Sequence, residues 1–174
     1  NYANDALGAV EFLKSIDKVD SKRIGIIGHS EGGTIAFMCA AQNKEIDFIL
    51  SLAGMAVAGD KCLQEQNRRA IAITGLSEEI QNKCIEVTQA IFDETQKREV
   101  GDLRQSAKKI VDELIAKHSA QNLPPALIQN FEKTLSTITE WMKFFLSYDP
   151  IGDIKQIKCP VLALNGSLDV QVLA

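Results

Sequence analysis

The chain has 174 residues, of which 45% are apolar and 24% charged, with a net charge of −4. That is enough material to bury the core of one domain with a small insertion. The acidic balance, without any run of Lys and Arg, argues against nucleic acid or an anionic membrane surface as partner and points to a small molecule. No stretch approaches the roughly 20 apolar residues that span a bilayer, and Asn1-Tyr2-Ala3-Asn4-Asp5 is not a basic, signal-type start.

The first predicted element is a helix over 4–16. Leu7, Val10 and Leu13, with Ala6, Ala9, Phe12 and Ile16, recur at helical spacing, and Asn4 or Asp5 can cap the start. After the polar break Asp20-Ser21-Lys22-Arg23 comes Ile24-Gly25-Ile26-Ile27-Gly28, a continuous apolar run typical of a parallel strand covered on both faces. His29-Ser30-Glu31-Gly32-Gly33 then opens a second helix over 34–42, and Phe48-Ile49-Leu50-Ser51-Leu52-Ala53 is a second strand. A third strand, Val161-Leu162-Ala163-Leu164-Asn165, follows the Cys159-Pro160 break. Buried strands separated by crossovers define an α/β fold with a parallel sheet.

Between the second and third strands, 59–148 holds no strand pattern. Its segments 78–97, 102–118 and 124–146 carry helical periodicity. It is too long for one crossover, so it reads as a helical insertion into a core formed by 1–58 and 149–174. The cysteines Cys39, Cys62, Cys84 and Cys159 form no C-x-x-C pair. They read as unpaired, mostly buried thiols, favouring a reducing, cytoplasmic compartment; neither a metal site nor a cofactor is indicated.

The chemistry concentrates in Gly28-His29-Ser30-Glu31-Gly32, a G-x-S-x-G pattern set between a predicted strand and a predicted helix. A serine on such a sharp turn is pushed out toward substrate, and Gly28 and Gly32 are expected to leave room for the close passage of neighbouring chain. Ser30 also stands at a helix N-terminus, where the Glu31 N–H is a natural donor to a developing oxyanion. Downstream, Asn165-Gly166-Ser167-Leu168-Asp169 carries a strand into a polar loop at the same carboxyl edge of the sheet. Asp169 is therefore a candidate for the acid of a catalytic triad, although Gly-x-x-Asp is also a common turn pattern.

Together these two motifs resemble the nucleophile elbow and acid loop of the α/β-hydrolase superfamily, nearest its esterase and serine-aminopeptidase-like branch with a helical cap. The resemblance implies a partial α/β-hydrolase sheet with helices on both faces, with 59–148 as the cap. It implies Ser30 as nucleophile, Asp169 as triad acid, and a small-molecule ester as substrate. In that family the order is serine, acid, histidine, and no histidine follows Asp169. His29 is expected to shape the elbow and His118 to sit on a helix surface. On this reading the first strands and the second oxyanion donor lie before Asn1, the chain alone turns over little, and an exposed sheet edge predicts homodimerisation. A peptidase or acyltransferase on the same scaffold, or a non-catalytic binding module, are the alternatives.

Within the cap, Phe131, Trp141, Phe144, Phe145 and Tyr148 cluster near its end. Trp141, Phe144 and Phe145 share a helical face that is expected to pack within the cap or to line an acyl or aryl pocket.

Overall fold

A computed structural model describes residues 2–172; Asn1, Leu173 and Ala174, the ends of the expected core, lie outside the described residues. The elements run α1 (Tyr2–Lys14), β1 (Gly25–His29), α2 (Glu31–Gln42), β2 (Phe48–Leu52), α3 (Gly59–Ala72), α4 (Glu78–Lys97), α5 (Val100–Gln105), α6 (Ala107–Lys117), α7 (Pro125–Ser136), α8 (Glu140–Ser147), α9 (Ile151–Ile154) and β3 (Val161–Leu164). The chain divides into two compact units, Asn1–Ala58 with Asp149–Ala174, and Gly59–Tyr148.

The first unit is α/β. Its strands form a parallel sheet in the order β1-β2-β3, with Ile27 beside Leu50 and Leu50 beside Leu162. Because side chains alternate across a sheet, Gly28, Ile49 and Ser51 fall on one face, where all are buried. Helix α2 packs on β1 and β2, and α1 and α9 pack on α2. The buried residues Ala36, Phe37, Met38, Cys39 and Ala40 show how completely α2 is enclosed, as expected for a helix apolar on nearly every side.

The opposite face corrects the expectation of three buried strands. Ile27 is 64% exposed, Leu162 49% and Leu164 53%, and every residue of β3 is exposed. Val161, on the same face as Ile49 by register, is also exposed. The apolar runs are parallel strands as read, but among the described residues their second face is open. Composition records what a strand is fit to bury, not whether a neighbour is there to bury it.

The second unit is wholly helical. Val87, Leu103, Val111 and Leu135 are fully buried at its centre, with Ile91, Ile110, Phe131 and Leu146 around them. The buried hydroxyls of Thr88 and Thr95 donate to the carbonyls of Cys84 and Ile91, both at 2.8 Å, so neither is left unsatisfied. The Gly59 amide donates to the Tyr148 carbonyl at 3.0 Å, which ties the unit's two ends together.

Where one long helix was expected over 102–118, there are two, because Ser106 leaves the helical region at φ −105°, ψ 11° and serves as both C-cap of α5 and N-cap of α6. The segment 124–146 likewise divides at Thr137, which caps the end of α7; Thr139 then starts α8 by accepting the Met142 amide at 3.1 Å. Hydroxyl residues with local hydrogen-bonding options end helices that apolar periodicity alone would carry through.

Candidate active site

Ser30 is the residue between β1 and α2, and its backbone is strained: φ is 54° and ψ −121°. A non-glycine residue in that region costs about 1–3 kcal/mol and persists only where its surroundings over-determine it. The surroundings are on both sides. The Ser30 amide donates to the Leu52 carbonyl at 2.8 Å, extending the β1–β2 ladder, while the Ser30 carbonyl accepts from the Gly33 and Thr34 amides at 2.9 and 3.4 Å to begin α2. Strand pairing and helix initiation thus meet on one residue, and the turn absorbs the difference.

The glycines around it have unequal roles. A Cβ on Gly28 would collide with the Gly32 carbonyl, and one on Gly33 would lie 2.7 Å from both the Gly54 Cα and the Ser51 Oγ. Gly54 is closed in the same way by Ser51 and Gly33. At Gly32 itself a Cβ would meet nothing within 4 Å, which corrects the expectation that this position makes room for neighbouring chain. The tight crossing is Gly28 over the first turn of α2, and Gly33 against the segment after β2. That segment is held by Thr34, whose buried Oγ1 accepts the Met55 amide at 3.0 Å and donates to the Met55 carbonyl at 3.4 Å.

The Ser30 hydroxyl makes no cap hydrogen bond. The Glu31 and Gly32 amides, first in α2, donate to no acceptor among the described residues. A free hydroxyl beside two free amides at the positive end of a helix can attack an electrophilic carbon and hold negative charge on its oxygen.

Asp169 lies beyond the carboxyl end of β3, at the same edge of the sheet as Ser30, which follows β1. Its carboxylate accepts the Gln171 amide at 2.8 Å and the Val172 amide at 3.0 Å, both on Oδ1. These bonds, Val172's first and Gln171's second, hold the Asp169 carboxyl below its ordinary pKa; burial opposes them, and nearby His29 adds to the lowering. Asp169 is therefore a turn-forming residue in this structure, with Oδ2 outside those bonds. Asn165 closes the same loop by donating to the Val172 carbonyl at 2.8 Å.

Neither histidine hydrogen-bonds to Ser30 or Asp169 among the described residues. His29 is exposed at the end of β1. His118 is not a surface helix residue as expected: it is the C-cap of α6, with Nδ1 3.7 Å from the Glu86 carboxylate and Nε2 buried with no hydrogen-bond partner among the described residues. The thiols of Cys39, Cys62 and Cys84 are buried and form no disulfide among the described residues, and burial pushes Cys39 up to about 11. Among the described residues no group of His, Cys, Asp and Glu has a metal-binding arrangement, and no helix is long and apolar enough to cross a membrane.

The aromatic residues of α8 form a ridge. Trp141 and Phe144 have ring centroids 5.2 Å apart, and Phe144 stacks on Tyr148 at 5.5 Å. Phe131, by contrast, is buried in the core of the helical unit.

The family described as BAAT / Acyl-CoA thioester hydrolase C terminal matches residues 7–122, a span that includes the whole Ser30 turn. Curated proteins give no match. Among solved structures, a hypothetical protein from Pseudomonas aeruginosa is similar at 13% identity and a TM-score of 0.44, with 94% of this chain and 51% of that one covered. The chain thus spans about half the length of that structure.

Proposed function

The chain belongs to the BAAT / acyl-CoA thioester hydrolase C-terminal family, and we propose that it acts by acyl transfer through Ser30 on a carboxylic ester or thioester. The observation that carries this reading is the backbone of Ser30: a strained serine between strand and helix, with its hydroxyl free and two unpaired amides beside it. Strain of that kind is kept where a side chain has to be presented.

In the proposed reaction Ser30 Oγ attacks the acyl carbonyl carbon while a base takes its proton. The carbonyl oxygen becomes an oxyanion, held by the Glu31 N–H. The bond from carbon to the leaving oxygen or sulfur then breaks, the leaving group takes the proton, and water repeats the sequence to free the acid. Asp169 serves by orienting a histidine base through its carboxylate. The reading takes that base from outside the described residues; neither His29 nor His118 hydrogen-bonds to Ser30 among them.

A second reading, a binding module that keeps the turn as architecture, is favoured by one observation: the Asp169 carboxylate is already engaged by two amides of its own loop. Two measurements separate the readings. A fluorophosphonate probe should label the full-length protein at Ser30 and fail on Ser30→Ala. Hydrolysis of a p-nitrophenyl ester and of an acyl-CoA should vanish in the same variant. Labelling that survives Ser30→Ala, or hydrolysis that does, defeats the proposal.

A further inference from the structure

The helical unit contains a cavity of about 330 Å³ that no part of the Ser30 chemistry uses. Ile91, Phe92, Ile138 and Leu146 form its floor and are buried. Leu63 and Met142 wall it, and Met142 is 37% exposed, so the cavity opens at that side. Native interiors leave few voids larger than a water molecule. An apolar void of about 150 Å³ suffices to hold benzene, so this one has room for roughly two rings.

Its shape follows from the spacing of its walls. Leu63 and Asn67 on α3, Ile91 and Thr95 on α4, and Met142 and Leu146 on α8 are each pairs four residues apart. Each wall is therefore one helical turn, about 6 Å along its axis. A cavity one turn long on three sides suits a compact body better than an extended chain.

Its chemistry is as specific. No charged side chain lines it, so a carboxylate or ammonium would lose hydration without gaining a partner. Three polar groups stand at the mouth, with Thr134, Thr137 and Thr139 exposed, while the buried Thr95 hydroxyl donates to the Ile91 carbonyl. The hydroxyls of Thr134 and Thr137 already donate to the Asn130 and Lys133 carbonyls at 2.8 Å. Asn67 is half-buried and its carboxamide has no hydrogen-bond partner among the described residues, leaving both a donor and an acceptor free.

We infer that the unit Gly59–Tyr148 carries a binding site for a neutral, compact, ring-bodied molecule with one hydrogen-bonding substituent, the ring on Ile91, Phe92 and Ile138 and the substituent on Asn67. The site stands on its own cavity and does not depend on acyl transfer at Ser30.

Titration of the chain with the neutral, two-ring fluorescent probe 1-naphthylamine tests it. One saturable site per chain is expected. It should be lost in Met142→Trp and Leu63→Trp, which fill the cavity from its half-exposed walls, and kept in Phe144→Ala, which alters the aromatic ridge outside it. Each variant is checked for a cooperative melt, and Thr134→Trp at the exposed mouth replaces any variant that fails. Unsaturable binding, or binding unchanged in the folded filling variants, overturns the site.

Competition then tests the ligand class. 2-Naphthol should displace the probe about fivefold more strongly than naphthalene, one hydrogen bond's worth, and lose that advantage in Asn67→Leu. Displacement by 1-decanol at lower concentration than 2-naphthol overturns the compact ring, and equal displacement by 2-naphthoate overturns neutrality.

Discussion

Gly28 and Gly32 cross so closely that a single methyl group on Gly28 would occupy the position of the Gly32 carbonyl, while a methyl on Gly32 would touch nothing. Two glycines of one motif thus differ in what they allow. Gly28→Ala should destabilise the protein by about 3 kcal/mol, because the obstacle is backbone and cannot rotate away. Gly32→Ala should change stability by less than about 1 kcal/mol, since the helix gains a better helix former. Urea unfolding of the two variants checks the contrast, and comparable losses at both positions would contradict the geometry.

The strain at Ser30 predicts a conflict between stability and function. Ser30→Gly removes the Cβ that makes φ 54° costly, whereas Ser30→Ala keeps it. The glycine variant should therefore be the more stable of the two by about 1 kcal/mol, after allowing for glycine's greater freedom in the unfolded chain. Neither should react with a fluorophosphonate. Thermal melts of the pair supply the measurement, and an alanine variant as stable as the glycine variant would mean the turn is not strained.

Thr34 holds the Met55 segment against the start of α2 through both groups of the Met55 backbone. Thr34→Val keeps the shape and removes the hydroxyl, leaving a buried amide unsatisfied at a cost of about 1–3 kcal/mol. Denaturant unfolding should show that loss. Amide exchange at Met55 should accelerate more than exchange along β2.

Asp169 should make the loop after β3 sensitive to acid. Its folded pKa lies below the ordinary value of 3.8 because the Val172 and Gln171 amides favour the carboxylate. The stabilisation is fully present above the unfolded pKa and is lost as pH falls through the lower, folded one. Asp169→Asn keeps an oxygen acceptor for both amides but cannot titrate, so the variant should lose that acid-dependent component. Carboxyl chemical shifts of Asp169 followed by NMR below about pH 4 would show the depressed midpoint directly; a midpoint at or above the ordinary value would contradict it.

Much of the arrangement was legible in residue order. The run Ile24–Gly28 names a strand whatever surrounds it, and G-x-S-x-G between strand and helix marks where the chain must turn sharply, because both are local and steric. Helix α4 spans the 78–97 expected from its persistent apolar spacing, and in the structure Ser77 caps its start by accepting the Ile80 amide. Ser106 and Thr139 were harder: a hydroxyl residue within a periodic stretch ends a helix only when its own backbone leaves the helical region.

Other features exist only once the chain is folded. Gly33 meets Gly54, and Thr34 meets Met55, across about twenty residues of chain, a contact no spacing announces. The exposure of β3 depends on which neighbours the sheet has. Asp169 accepts two amides of its own loop on one carboxylate oxygen because the fold brings them within reach. The cavity under Met142 belongs to no motif: α3, α4, α7 and α8 each bring one short stretch to it, and the space is what their packing leaves between them. The sequence by itself determined where a serine stands on a sharp turn between strand and helix; the tertiary structure decided which glycines confine it, which groups remain free around it, and where a cavity is left, because those are relations between segments distant along the chain.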